Sequence, residues 1–99
     1  MKFQVQELRP EVLAFALLME ERLREKDADR GGDSWKSATC DHLMVRTFAT
    51  CMILEQQVRL HADAKIRKAV DLANYAMMIA DVAGALDEAV KIINGEPQH

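Results

Sequence analysis

Residues 64–84, AKIRKAVDLANYAMMIADVAG, decide the fold of this 99-residue chain. Apolar side chains recur there at steps of three and four residues, which places them on one face of an α-helix. Asp63 is the expected N-cap of this helix. Gly84 is expected to break or kink it before a final segment at 85–93, which ends in a cap at Asn94-Gly95. The members of the apolar stripe are Ile66, Ala69, Val70, Ala73, Ala76, Met77 and Ala80.

A second stripe on the same predicted helix contains charged side chains, one amide side chain and one methionine. One interpretation is a solvated helix face. The other is a cavity lining, because Leu72, Tyr75 and Ile79 make much of the remaining circumference apolar. The members of this mixed stripe are Lys68, Asp71, Asn74, Met78 and Asp81.

Two further helices are predicted before this one, separated by a polar loop at 27–37. The stretches on either side of the loop are rich in Ala, Leu, Met, Glu, Lys and Arg, which are good helix formers. We predict the first helix at 10–26, because Pro10 suits a first helical turn. The second is predicted at 39–60 with Thr39 as its cap, and a turn at 61–63 follows it. With no strand pattern, the sequence predicts an all-α bundle of three to four helices.

Chain length indicates one domain, at 1–99, with a core at about 10–93 and a short C-terminal tail at 94–99. A chain this short buries only about 60–65% of its unfolded surface, so a partner subunit would add appreciable stability. The first half of the first helix is apolar on every side, which indicates burial between subunits as well as within one. We therefore expect oligomerisation to complete the bundle.

Charge, hydropathy and cysteine content exclude several functions. The chain has 13 Lys and Arg against 16 Asp and Glu, so it offers no broad basic surface for generic nucleic-acid binding. The longest apolar run, at 12–19, is too short to span a membrane. Cys40 and Cys51 lie about 16 Å apart on one predicted helix, beyond disulfide reach. With no N-terminal leader, we expect a cytoplasmic protein. The histidines show no zinc-ligand spacing with the cysteines.

Four segments carry a family resemblance, in order along about residues 10–86. They are VLAFA with LME at 12–20, GG with SWK at 31–36, LMVR at 43–46 and DLANYAMMIAD at 71–81. Together these segments resemble the first helix, loop, second helix and third-helix signature of the MazG-like, all-α nucleoside triphosphate pyrophosphohydrolases. The resemblance is to small phage and bacterial members, and it implies a bundle that assembles as a homodimer or a dimer of dimers.

The Mg²⁺ site of that family is degenerate in this chain. The family uses two glutamates three residues apart on its second helix, and a glutamate and an aspartate three residues apart on its third. At the matching positions stand Ala49, or Thr50 beside it, then Ile53, Lys68 and Asp71. Only Asp71 matches a ligand, and the Lys68 ammonium opposes a cation there. We therefore expect no cofactor, and Mg²⁺ on Asp71 only if an enzyme survives.

The resemblance implies a nucleotide-binding protein that has lost hydrolysis and binds or sequesters a nucleotide or nucleotide signal, as a phage-encoded protein would. Its cations would bind phosphate directly, its tryptophan would stack on a base, and its asparagine would hydrogen-bond a sugar or base edge. The predicted nucleotide-binding residues are Trp35, Lys36, Arg46, Lys68, Asp71 and Asn74.

Other interpretations of these residues stay open at this point. One is a divergent Mg²⁺-dependent pyrophosphohydrolase. Another is a protein-interaction module in which Ala49 and Ile53 have become ordinary core. These residues also have a structural explanation, in which Arg46 pairs with Asp71 or Glu55 and Lys68 pairs with Asp71 or faces water. In the same explanation Trp35 is a core plug beneath the loop.

Overall fold

The computed structural model describes residues 4–30, 34–57 and 62–95, and most of these residues are helical. Short 3-10 helices lie at Val5–Glu7 and Ser34–Ser37. Over these three ranges no strand occurs, so the predicted all-α bundle of three to four helices is confirmed. The four α-helices are α1 (Pro10–Arg30), α2 (Cys40–Gln57), α3 (Ala62–Val82) and α4 (Asp87–Ile93).

Helix α3 lies at the centre of the bundle. Both α1 and α2 pack against it, and the 3-10 helix Ser34–Ser37 contacts it as well. Of the six side chains that are buried in the described ranges, Leu43 and Thr50 come from α2 and the other four from α3. The mixed stripe therefore faces the neighbouring helices and not the solvent. The four buried side chains of α3 are Val70, Asp71, Asn74 and Met78.

Part of the predicted apolar stripe of α3 stays uncovered by the chain itself. Val70 is buried, but Ile66 keeps 53% of its surface exposed and Ala76 is also exposed. Among the described residues, only Leu43, Val70 and Met78 are buried apolar side chains. The core that one chain builds is small, because two helices that each meet α3 along one face leave their other faces open.

Two predicted helix boundaries are wrong. Helix α1 continues past residue 26 to Arg30, because Ala28 and Arg30 favour a helix and the first glycine comes only at Gly31. Helix α3 begins at Ala62, inside the predicted turn. The predicted end of the second helix, at residue 60, lies outside the described residues. The division into one domain with a tail at 94–99 stays a prediction, and 96–99 are also outside them.

The predicted caps have different outcomes. Thr39 caps α2, because its side-chain Oγ1 accepts a hydrogen bond from the backbone N–H of His42 at 3.1 Å. The prediction for Asp63 is wrong, since α3 begins one residue before it and Asp63 lies within the first helical turn. A carboxylate in that turn still interacts favourably with the positive end of the helix dipole.

Helix α3 ends at a glycine with left-handed backbone geometry. Gly84 has φ +85°, its N–H donates to Asp81 O at 2.9 Å, and the N–H of Ala85 donates to Ala80 O at 2.9 Å. This pair of hydrogen bonds is the Schellman motif, which satisfies carbonyl groups at the end of a helix. Gly95, with φ +73°, follows α4 in the same way, so both predicted glycine stops are confirmed.

Gly84→Ala is expected to lower the free energy of unfolding by about 1 kcal/mol, because a Cβ disfavours the left-handed conformation. An added Cβ would meet only Asp87 Oδ2 at 3.6 Å, an ordinary contact, so the cost comes from the backbone. Gly84→Asn is the matched variant and should cost less, since asparagine tolerates this conformation. Urea unfolding at a fixed protein concentration measures both, and equal stability of all three proteins would contradict the assignment.

Candidate functional site

The buried carboxylate of Asp71 is the centre of a charged cluster between α1 and α3. Its side chain is 3% exposed. The Arg22 guanidinium donates Nε to Asp71 Oδ1 at 2.8 Å and Nη2 to Oδ2 at 3.4 Å. Lys26 Nζ lies 3.4 Å from Oδ1, and Lys68 Nζ lies 3.8 Å from Oδ2. The alternative that pairs Lys68 with Asp71 is therefore the observed arrangement.

The surrounding cations determine the protonation of Asp71. Burial alone would raise the pKa of this carboxyl, but the hydrogen bond from Arg22 and the charges of Lys26 and Arg22 lower it below 3.8, its ordinary value. The same hydrogen bond, together with one to Glu25, raises the pKa of Arg22 further above its normal range. Asp71 and Arg22 therefore both carry their charges near neutral pH, and three basic side chains surround one buried carboxylate.

Sequence reasoning missed Arg22 and Lys26, although α1 contains a signal for them. They continue the same helical stripe as Val12, Phe15 and Met19, which changes from apolar to basic along the helix. A change of this kind on an inward-facing stripe predicts a buried acidic partner. The sequence does not identify that partner, because the packing of α1 on α3 brings together residues 49 positions apart.

A second polar cluster lies at the C-terminal end of α3. Asp81 Oδ2 accepts a hydrogen bond from Trp35 Nε1 at 3.0 Å and pairs with the Lys36 ammonium. The hydrogen bonds from Lys36 and Trp35 hold the pKa of Asp81 below its ordinary value. Trp35 is half-buried. The contacts of Trp35 and Lys36 with Asp81 hold the 3-10 helix Ser34–Ser37 against α3.

The predicted nucleotide-binding residues do not form one cluster. Asp71 and Asp81 are ten residues apart on α3, so their clusters are separated by about 15 Å along the helix axis. Asn74 lies between the two clusters on α3, and its side chain is 2% exposed. Its Nδ2 donates a hydrogen bond to Met19 O at 3.2 Å, whereas its Oδ1 has no hydrogen-bond partner among the described residues. Arg46 is exposed, and the described ranges contain no ion pair between it and Asp71 or Glu55.

Arg46 borders two neighbouring cavities. One has a volume of about 170 Å³ and is lined by Trp35, Leu43, Tyr75 and Met78 among others. The other has a volume of about 270 Å³, and its lining includes the cations around Asp71. In the described part of the chain, no three His, Cys, Asp or Glu side chains lie together as a metal site would require. That the chain binds no cofactor stays a prediction.

Two apolar surfaces are left uncovered by the residues that the structure describes. The first, here called the α1 surface, consists of side chains that are 37–65% exposed: Val12, Leu13, Phe15, Leu17 and Leu18. The second, the α2 surface, consists of side chains that are 49–69% exposed: Met44, Val45, Phe48 and Met52. A concentration of exposed apolar side chains on one helix of a small protein indicates a site of association. The α1 surface matches the predicted helix half that is apolar on every side.

The chain exposes more solvent-accessible surface than a compact monomer of the same mass. It exposes 7710 Å², against about 5,700 Å² for a compact monomer of its mass, 11.2 kDa. Its radius of gyration is 15.0 Å, against about 13 Å for a compact domain of this length. The excess is about 2,000 Å² per chain.

In the described helices, none is both long enough and apolar enough to cross a membrane.

The comparisons with known proteins identify the family. The sequence profile described as "Hydrogen maturase F tetramerization domain" matches residues 17–92, most of the chain. The chain belongs to this family. No curated protein and no solved structure matches it. The family description supports the expected self-association, and the α1 and α2 surfaces are consistent with it.

The family match corrects the resemblance drawn from the sequence. The chain is not identified as MazG-like, and its proposed role as a nucleotide-binding or nucleotide-sequestering protein is wrong. A nucleotide ligand and a phage origin are likewise unsupported. The alternative of an interaction module agrees with the family, although its detail fails: Ile53 is 37% exposed and Ala49 is exposed, so neither is core.

The error has a physical origin. The four matching segments are mostly short apolar or small-residue strings, and such strings recur wherever helices pack, whatever the family. The acidic ligand pattern, which requires particular chemistry and not only packing, was absent at three of its four positions. Its absence carried more information about family membership than the presence of the packing residues.

Asp71→Asn is expected to lower the free energy of unfolding by about 1–3 kcal/mol near neutral pH, since it leaves half-buried cations unpaired. Because the pKa of Asp71 is lowered in the fold, its contribution is complete above its ordinary value of 3.8 and disappears as the pH falls through the native-state pKa. The stability difference between wild type and variant should therefore shrink below pH 3.8.

Urea unfolding of both proteins across this pH range measures that difference. Asp63→Asn is the matched control, because it makes the same change at an exposed position of the same helix and should cost about 0.5 kcal/mol or less. A wild-type advantage over Asp71→Asn that stays constant down to the acid end would show that Asp71 is not the titrating group.

Proposed function

We propose that this chain is a self-association module that joins four copies into a tetramer. The observation that carries the proposal is the exposure of two apolar surfaces on different helices, the α1 surface and the α2 surface. Their side chains are of the kind that associating proteins bury, and the described part of the chain has nothing to cover them. Membership in a family described as a tetramerization domain supports the number of copies.

The exposed area agrees with two interfaces per chain. A stable interface of standard size buries about 800 Å² on each partner. The excess exposure of about 2,000 Å² is therefore enough for two such interfaces. Burial of mostly apolar area also supplies the stability that a core with three buried apolar side chains does not.

Two self-pairing surfaces on each chain are what a tetramer with dihedral symmetry requires. A dihedral tetramer uses at least two different isologous interfaces, each formed when one surface meets its own copy around a two-fold axis. Helices α1 and α2 both pack on α3, which leaves the outer sides of both available for separate partners. In this arrangement the α1 surface forms one interface and the α2 surface forms the other.

The proposed biological setting follows the family description. The module would serve the tetramerization of a hydrogen maturase F, either as a segment of that protein or as a chain that associates with it. We place the assembly in the cytoplasm, as the sequence predicted. The tetramer would then act as a scaffold, which sets the number and spacing of the copies it holds together.

Phe48→Glu and Leu17→Glu test the two interfaces separately. Phe48 is 69% exposed and Leu17 is 65% exposed, so a glutamate at either position stays in solvent in a single chain. Within an interface the same carboxylate would be buried without a partner, which is costly. Each variant is expected to weaken one interface by about a hundredfold or more and to leave dimers. The double variant should be monomeric. Sedimentation velocity and native mass spectrometry at micromolar concentrations give the masses.

Arg24→Glu is the control, because the Arg24 side chain is 77% exposed on the polar part of α1 and a new charge there should leave the mass unchanged. Circular dichroism confirms that each variant keeps its helices. A wild-type protein that is monomeric at these concentrations, or single variants that remain tetrameric, would overturn the proposal. A wild-type dimer that only one substitution dissociates would reject the second interface.

A further inference from the structure

We propose that the cavity bordered by Arg46 and the Asp71 cluster is a binding site for one small inorganic oxyanion, phosphate or sulfate. The cavity has a volume of about 270 Å³ and lies between α1, α2 and α3. The site would be formed within one chain and would need no partner copy, so its test has to separate it from the proposed tetramer.

The charges around the cavity do not balance. Among the described residues, four cations line it, Arg22, Lys26, Arg46 and Lys68, and Asp71 is the one lining carboxylate. Glu25 lies just outside, where Oε2 accepts a hydrogen bond from Arg22 Nη1 at 2.8 Å. Two positive charges remain after both carboxylates are counted. A divalent oxyanion matches this surplus.

The cations are held in place before any ligand arrives. Arg22 is fixed by its bonds to Asp71 and Glu25, and Lys26 lies 5.2 Å from the centre of the Tyr75 ring. The side chains of Lys26 and Lys68 are 28% and 30% exposed, so both ammonium groups are partly desolvated. A preorganised, partly desolvated set of cations binds an anion more tightly than the same charges in open solvent.

Two lining groups are free to contact the ligand. Arg46 has no ion pair within the described ranges, and its guanidinium can donate two parallel N–H groups to an oxyanion. Thr50 is 8% exposed, lines the cavity and forms no hydrogen bond with the other described residues. A hydroxyl group at the wall of a basic cavity supplies a further donor.

The lining also determines the ligand class. Donors from guanidinium, ammonium and hydroxyl groups suit oxygen acceptors arranged in several directions, which phosphate and sulfate have and chloride lacks. A metal cation is excluded electrostatically by four like charges around one carboxylate. The apolar side chains of Ala49 and Ile53 complete the wall on α2 and add no acceptor that would favour a cation.

The test is calorimetric titration of the wild-type chain with sodium phosphate and sodium sulfate, with sodium chloride at the same ionic strength as the reference. We expect saturable binding of about one oxyanion per chain and no saturable heat with chloride. Arg46→Gln and Lys68→Gln should each weaken phosphate binding about tenfold, since each removes a charged donor.

Lys65→Gln is the matched control for Lys68→Gln, because it removes the same charge from an exposed position of α3 outside the cavity lining. It should change phosphate affinity less than twofold. Absence of saturable phosphate binding by the wild type would overturn the proposal, and so would equal losses in Lys65→Gln and Lys68→Gln. The second result would mean that only the general field of the protein attracts the anion.

The oligomeric mass measured in the same samples separates this site from the proposed function. Because the cavity is formed within one chain, the Phe48→Glu variant should bind phosphate with unchanged affinity while its mass falls. Lys68→Gln should keep the wild-type mass while it loses phosphate binding. If phosphate binding disappears together with the tetramer in Phe48→Glu, the site belongs to the interface and the proposed single-chain site is rejected.

Discussion

Asp71 carries its charge inside a very small bundle, and an ionised group at such a position has to be paired. Arg22 supplies the pairing from α1, through two hydrogen bonds to the two carboxylate oxygens. One turn further along α3, the Asn74 side chain binds the backbone carbonyl of Met19, also on α1. These polar contacts fix the position of α1 on α3 more specifically than apolar packing does, because hydrogen bonds require one register.

The position of α1 has consequences for the rest of the surface. Its middle and C-terminal part contacts α3 through residues such as Met19, Arg22 and Lys26. The apolar side chains of its first half stay exposed among the residues that the structure describes. Helix α2 also packs on α3, where it buries Leu43 and Thr50 and exposes Phe48. Other copies that cover both helices would add stability to a bundle with so small a core.

Different parts of this description could be predicted from the sequence to different extents. The four helices, the Thr39 cap and the glycine stops at Gly84 and Gly95 depend on local backbone preferences, and all of them are confirmed. The partners of Asp71 depend on how two helices distant in sequence pack together, and only Lys68, three residues away on the same helix, was anticipated. The family was assigned wrongly because packing residues alone do not discriminate between helical families.

The sequence by itself determined that the chain is helical, that Thr39 caps α2, that Gly84 and Gly95 follow helix ends, and that the chain has more apolar surface than one small bundle can bury. These properties follow from hydrophobic periodicity, backbone conformation and chain length, which are local or additive. Only the tertiary structure decided which face of α3 is inside, that Arg22 and Lys26 meet Asp71 and that Trp35 is bound to Asp81. Such contacts depend on the relative register and rotation of packed helices. The periodicity of one helix does not contain that information.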